Sequence, residues 1–295
     1  MTGRAAAALA LVALLAASPA GGATGILAIG DFGVGGRSER RTGAAVERFA
    51  AAHVTDALVT LGDNDYTESP PSFRRNWRDS FGWAKASGLT IAGTLGNHDV
   101  RVDGGRYEFA LLDMPRRYYT RTVGDVALVI VDSNRIGKTE RRWLARALGA
   151  ATAPWKVVLL HHPAFSCGGY LGDARVRRRL VPIFEREGVD LVLAGHDHNY
   201  QRFARRHGVT YVVHGGGGQR LYPLTGCPGW FPKRKAAREA RGWVYLRATP
   251  SELRVKAIGR FGGIHDGFVL RHRPPQGGAS GPSPPRAGGA ARGRR

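Results

Sequence analysis

The stretch Ala57-Leu58-Val59-Thr60-Leu61-Gly62-Asp63-Asn64-Asp65-Tyr66 holds the pattern from which the rest of the chain can be read. Its first five residues are mostly apolar and partly β-branched, as in a short buried strand, and Gly62 lets the backbone turn tightly before the carboxylate of Asp63. The pattern recurs. Gly25 to Ile29 runs into Gly30-Asp31, and Leu89 to Leu95 into Gly96-Asn97-His98-Asp99. Val157 to Leu160 ends in His161-His162-Pro163, and Leu191 to Ala194 in Gly195-His196-Asp197-His198. Val126 to Val131 is a further strand. Between them, residues 39–53 place Val46, Phe49 and Ala50 on one helical side, and Leu180 to Arg186 also reads as helix. Strands alternating with helices predict an α/β fold, with ligands held beyond the carboxyl ends of the strands. Val209 to Val213, Trp243 to Ala248 and Leu253 to Ile258 lie closer together and read as antiparallel strands.

Asp31, Asp63, Asn97, His161, His196 and His198 are oxygen and imidazole donors suited to first-row metals of borderline softness. One such residue after a strand is more simply a cap or a satisfied polar group. Six of them at the strand ends of one α/β layer point instead to a metal centre.

These motifs, in this order across residues 26–200, resemble those of the calcineurin-like metallophosphoesterases. That family's pattern is Gly-Asp, Gly-Asp, Gly-Asn-His-Asp/Glu, a lone strand-end His, and Gly-His-x-His. The resemblance implies an αββα sandwich, two mixed sheets flanked by helices. A finer likeness is to the purple acid phosphatases of the compact single-domain type. Most of the superfamily has a ligand His two residues after the first Asp; here that place is Gly33. The purple acid phosphatases use a Tyr three residues after the second Asp, and here that place is Tyr66.

The resemblance implies that Asp31, Tyr66 and His198 hold Fe(III), a hard cation that favours a phenolate. Asn97, His161 and His196 would hold a divalent Fe, Zn or Mn ion, with Asp63 bridging the two. It further implies hydrolysis of a small phosphate monoester by a hydroxide that the metals supply, with His98 as general acid and Asp99 orienting the His98 ring. His162 is read either as a substrate contact or as packing. The chain departs from the pattern between Ala164 and Asp173, where many purple acid phosphatases carry one more His and this sequence has none.

Other readings compete. A phosphodiesterase could use the same donors. Asp63-Asn64-Asp65-Tyr66-Thr67 also fits the Asp-x-Asp-x-Thr nucleophile motif of haloacid-dehalogenase-type Mg phosphatases, with Asp63 attacking and Asp65 as acid. That reading leaves the histidines without work. A non-catalytic polyanion binder would explain the net charge of +21 and nothing at the strand ends. Much of that charge has a simpler origin, because residues 271–295 carry six Arg and no acid in a Pro/Gly-rich tail that is expected to be disordered. Arg177-Arg178-Arg179 and Lys233-Arg234-Lys235 could be solvated faces, and no specific nucleic-acid site is inferred.

Residues 1–23 read as a signal peptide, with Arg4 ahead of an apolar run from Ala5 to Ala17 that is too short to span a bilayer. Residues 24–270 would form the catalytic domain, exported to the outside, the periplasm or the cell surface, with no later transmembrane segment. Cys167 and Cys227, each in a Gly-rich segment, are either a disulfide joining two loops or two free thiols; export favours the bridge.

Overall fold

The computed structural model describes residues 22–272. Three parallel strands open it: β1 (Thr24–Ile29), β2 (Ala57–Leu61) and β3 (Thr90–Thr94), with crossover helices α1 (Gly36–Ala51) and α2 (Pro70–Ala86) between them. There follow β4 (Tyr119–Val123), β5 (Val126–Ile130), α3 (Lys138–Ala150), β6 (Trp155–Leu160), α4 (Ala174–Arg179), α5 (Val181–Arg186) and β7 (Leu191–Ala194). Six more strands end the chain: β8 (Tyr200–Phe203), β9 (Thr210–His214), β10 (Arg234–Arg238), β11 (Gly242–Ala248), β12 (Glu252–Gly259) and β13 (Ile264–Arg271).

Two mixed sheets result, ordered β13-β12-β11-β1-β2-β3 and β10-β8-β9-β7-β6-β5-β4. Strand alternation divides the second sheet between two cores. Leu128, Ile130, Val157, Leu159, Leu191 and Leu193 pack with the first sheet, whereas Val129, Val158, Leu160 and Val192 join Leu144 and Leu148 of α3 and Ile183 and Phe184 of α5. On the far side of the first sheet, Phe73, Trp77, Phe81 and Ala84 make the buried face of α2. The αββα sandwich of two mixed sheets flanked by helices is therefore the observed architecture.

Three sequence expectations change. Residues 210–213 of the run read as antiparallel belong to β9, which pairs antiparallel with β8 and parallel with β7, so that reading covers only one of its edges. α2 and α3 are helices beyond those expected above, although in α2 Phe73, Trp77, Phe81 and Ala84 recur at helical spacing opposite an arginine-rich face. β13 runs to Arg271, one residue into the span read as tail, and pairs Arg271 with Glu252. Residues 273–295 of that tail and residues 1–21 of the expected signal peptide lie outside the described residues. Among the described residues no helix is long and apolar enough to cross a membrane.

Candidate metal centre

β1, β2 and β3 run parallel in one sheet and β5, β6 and β7 in the other, so their carboxyl ends deliver side chains to one edge of the sandwich. Three of the predicted donors leave their strands in the left-handed region: Asp31 at φ 58°, Asp63 at φ 49° and His196 at φ 70°. Non-glycine residues rarely adopt that conformation, and such outliers concentrate at functional sites. The core pins the first of them. Phe32, fully buried directly after Asp31, packs edge-on to Phe81 of α2 with centroids 4.9 Å apart. Gly195 leaves room for the site itself, since a Cβ there would lie 2.5 Å from Asp31 Oδ2.

The predicted ligands fall into two contacting triads. In one, Tyr66 Oη donates to Asp31 Oδ1 at 3.1 Å and lies 3.1 Å from His198 Nε2, itself 3.4 Å from Asp31 Oδ1. In the other, His161 Nε2 lies 3.2 Å from Asn97 Oδ1 and 3.2 Å from His196 Nδ1. Asp63 accepts from the His98 amide at 2.9 Å, and its Oδ1 stands 3.5 Å from His161 Nε2. Backbone carbonyls set two of the tautomers. His161 Nδ1 donates to Leu61 O at 2.9 Å and His198 Nδ1 to Arg220 O at 2.8 Å, so each Nε2 turns a lone pair towards the carboxylates.

The electrostatics fit a cation. Burial pushes Asp31 up to about 7, and the neighbouring Asp63 charge adds to the shift. Burial, then Asp31 and Asp63, raise the Tyr66 phenol far above its ordinary range. His161 is driven well below the usual histidine value by burial and the adjacent His196, and His196 falls to about 3 through burial and His162. At His198 burial acts downward, but the Asp31 hydrogen bond and charge outweigh it and raise the group. Neutral imidazoles beside crowded, desolvated carboxylates are the form in which these side chains bind metal, and a bound cation reverses the penalty on the acids. Donor atoms of Asp31, Asp63 and His161, and separately of His161, His162 and His196, lie within 4.8 Å of one another.

Gly33 has a structural explanation. A Cβ there would sit 1.9 Å from Asn64 O, and Tyr66 N donates to Gly33 O at 2.8 Å. The loop that brings Tyr66 into the site rests on the backbone where a side chain would otherwise stand. Absence of a His at residue 33 and presence of Tyr66 are therefore two sides of one packing arrangement.

Two expected roles are revised. Asp99 does not orient the His98 ring; its carboxylate accepts from the amides of Asn64 (2.8 Å), Asp65 (3.0 Å) and Gly96 (2.6 Å) and so ties the β2 and β3 turns together. Among the described residues His98 Nδ1 has no hydrogen-bond partner, and the facing acid is Glu68, at 3.9 Å. Asp65 is no proton donor to the cluster. It accepts from Thr67 N (2.8 Å), Thr67 Oγ1 (2.5 Å) and Tyr107 Oη (3.1 Å), which removes the geometry that a dehalogenase-type site needs. His162 stands at the edge of the cluster, with its Nδ1 2.8 Å from Ser133 Oγ and its ring 4.6 Å from that of His196.

Sequence reading missed several contributors. Gly215-Gly216-Gly217-Gly218 follows β9 and lies against the first Asp loop, with Gly217 N donating to Gly30 O at 2.9 Å and Gly218 N to Asp31 O at 3.1 Å. Four successive glycines after an apolar strand were the available signal. Tyr170 and Tyr222 stack on His196 and His198, and no local pattern marks either of them. Cys167 and Cys227 are bonded to each other.

The chain is also similar to known proteins. Chain residues 10–200 match the family described as calcineurin-like phosphoesterase. Purple acid phosphatase 17 of Arabidopsis thaliana is 24% identical over 284 residues, spanning 82% of this chain and 83% of the relative. Tartrate-resistant acid phosphatase type 5 of Oryctolagus cuniculus is 25% identical over 241 residues, or 67% of this chain and 74% of the relative. Among solved structures, a purple acid phosphatase from yellow lupin superposes with a TM-score of 0.72 at 18% identity, over 84% of this chain and 54% of the lupin chain. Plasmodium GAP50, described as the anchor in the inner membrane complex, superposes with a TM-score of 0.73 at 18% identity, over 86% of this chain and 90% of its own. Folds so alike can serve different ends, so the site and the matched sequence must decide. Together they make this chain a member of the calcineurin-like phosphoesterase family and a metal-dependent phosphatase.

Proposed function

We propose that the chain is an exported acid phosphatase that hydrolyses phosphate monoesters at a binuclear centre. Asp31, Tyr66 and His198 would hold Fe(III), and Asn97, His161 and His196 a divalent Fe, Zn or Mn ion, with Asp63 between them. The observation that supports this most is the division of the donors into two triads with Asp63 alongside. Bound there, two such ions polarise the phosphoryl oxygens and lower the pKa of water.

The remaining chemistry belongs to side chains. His98 is held by its own amide on Asp63 and by its ring against Tyr66, at 4.4 Å between centroids. Its side chain is 26% exposed, so it can meet the departing alkoxide from the solvent side and protonate it. Glu68, 3.9 Å from Nδ1 and itself paired with Arg101, favours the charged imidazole against the downward pull of burial. His162, braced by Ser133, stands ready to donate to a phosphate oxygen. Export is supported by the bonded Cys167–Cys227 pair, which fits an oxidising compartment, and by the apolar leader.

Metal analysis with an absorption spectrum tests the reading. The expected result is two transition metals per chain and a visible band that disappears in Tyr66→Phe, which keeps the ring and removes the donor oxygen. An iron-loaded, oxidised protein without colour would refute the ferric assignment. Turnover that needs only Mg²⁺ would refute the binuclear one.

A further inference from the structure

Two tyrosines outside the ligand set wall one side of the cluster. The Tyr170 ring stacks on His196 at 4.3 Å and 23°, and the Tyr222 ring on His198 at 4.0 Å and 18°. The two tyrosines meet each other at 5.8 Å and 72°. They come from loops that are far apart in sequence and bonded together by Cys167–Cys227.

The wall is rigid. Tyr222 N donates to His198 O at 3.0 Å, and the Tyr222 ring lies so close to Gly169 that a Cβ there would approach it to 2.6 Å. Gly169 N donates to the buried Asp197 at 2.9 Å, and Cys167 N to Gln201 Oε1 at 2.8 Å. Both basic runs lend a brace: Arg177 Nη1 donates to Ala164 O (2.7 Å) and Leu171 O (3.0 Å), and Arg234 Nη1 to Cys167 O (2.9 Å). Rings placed only for packing would be covered. Tyr170 is instead 45% exposed and the adjacent Leu171 53%, which puts an apolar rim beside the donors.

We propose that Tyr170 and Tyr222, with Leu171, form an aromatic subsite for the alcohol side of the ester, so that the preferred substrates carry a flat ring close to the phosphate. The proposal rests on the phosphoesterase reading and narrows its substrate class to aryl phosphates. One face of each tyrosine is occupied by a histidine, leaving an edge or face of Tyr170 to meet a substrate ring in offset or edge-to-face contact. A ring already held in place loses little freedom on binding, so the contact retains most of its strength.

The test compares the metal-loaded wild type with Tyr170→Leu, Tyr222→Leu and Tyr170→Phe. Probes are the non-hydrolysable 1-naphthylphosphonate and methylphosphonate, by calorimetry, and kcat/KM for 1-naphthyl and methyl phosphate. Comparing each ester with itself across variants cancels its intrinsic reactivity. Tyr170→Leu is expected to weaken naphthyl binding and kcat/KM on the order of tenfold more than the methyl values, and Tyr170→Phe is expected to retain the preference. Equal losses on both probes would mean that the tyrosines only steady the histidines, and would overturn the subsite. A wild type that binds both phosphonates alike would overturn it as well, even with ester turnover intact. Naphthyl-selective binding without turnover of either ester would instead refute the phosphatase chemistry while leaving the subsite standing.

Discussion

The floor of the site and its rim are built by different means. The floor is made of strand ends: Asp31, Asp63 and His196 sit at positive φ, each next to a glycine, with Asp31 and Asp63 buried by the two sheets beneath. The rim consists of loops around residues 164–173 and 219–228, held by a disulfide, two stacked ring pairs and arginines on carbonyls. Backbone pairing between strands dictates the floor. Cross-links between segments dictate the rim. Chemistry that must place two ions belongs on the first kind of structure, and selection among esters on the second.

Substitutions can break this contrast, and the largest effect is expected on the floor. Asp63→Ala should lose metal as well as turnover, leaving activity at background, because its carboxylate lies within 4.8 Å of donor atoms of Asp31 in one triad and His161 in the other; metal analysis beside a phosphate-release assay checks it. An Asp63→Ala protein that keeps two metals would mean that the floor does not depend on this bridge.

His98→Ala should keep both metals and lose about 10²–10⁴-fold in turnover, less for esters with good leaving groups. Full activity on an alkyl phosphate would remove His98 from the mechanism.

On the rim, Cys167→Ser with Cys227→Ser should leave metal content intact while lowering stability by about 4 kcal/mol, as expected for a closed loop of 60 residues. Denaturant unfolding measures the loss, and metal analysis of the same sample separates rim from floor. Loss of metal in this variant would erase the distinction drawn above.

The smallest effect is expected at Asp173, which ends the first rim loop and caps α4 through the amides of Arg175 (2.6 Å) and Val176 (3.1 Å). Asp173→Ala should cost about 1 kcal/mol. Burial acts upward on this carboxyl, but the Arg175 hydrogen bond and the amides outweigh it and hold the folded pKa below 3.8. Its contribution is therefore present above pH 3.8 and is lost as pH falls through the lower folded value. Thermal melts of both proteins at pH 6 and pH 3 should differ by less at the lower pH.

The strand-end donors were legible because each is announced locally, by an apolar run, a tight turn and a polar side chain. The same logic located β1, β2, β3, β6 and β7 within a residue or two. It did not extend to α2, although Phe73, Trp77, Phe81 and Ala84 recur there at helical spacing, nor to β8, β10 and β13, whose sequences mix polar and apolar residues. Asp99 shows a subtler failure. The family resemblance made it the partner of His98, yet side chains one residue apart on a tight turn diverge, and its carboxylate finds amides 34 and 35 residues away.

By itself the sequence determined the chemistry: which donors exist, that they follow strands, that Gly33 cannot supply a ligand and that Tyr66 can. Family resemblance supplied their grouping; only the tertiary structure decided what supports them. It turned Asp65 and Asp99 into scaffolding and laid Tyr170 and Tyr222 over His196 and His198. The reason is physical. A residue's identity and its nearest neighbours in the chain set what it can donate or accept and where the backbone can turn, and these can be read locally. Which groups come within 3–4 Å depends on sheet order and loop cross-links that join residues dozens of positions apart, and no local pattern encodes such distances.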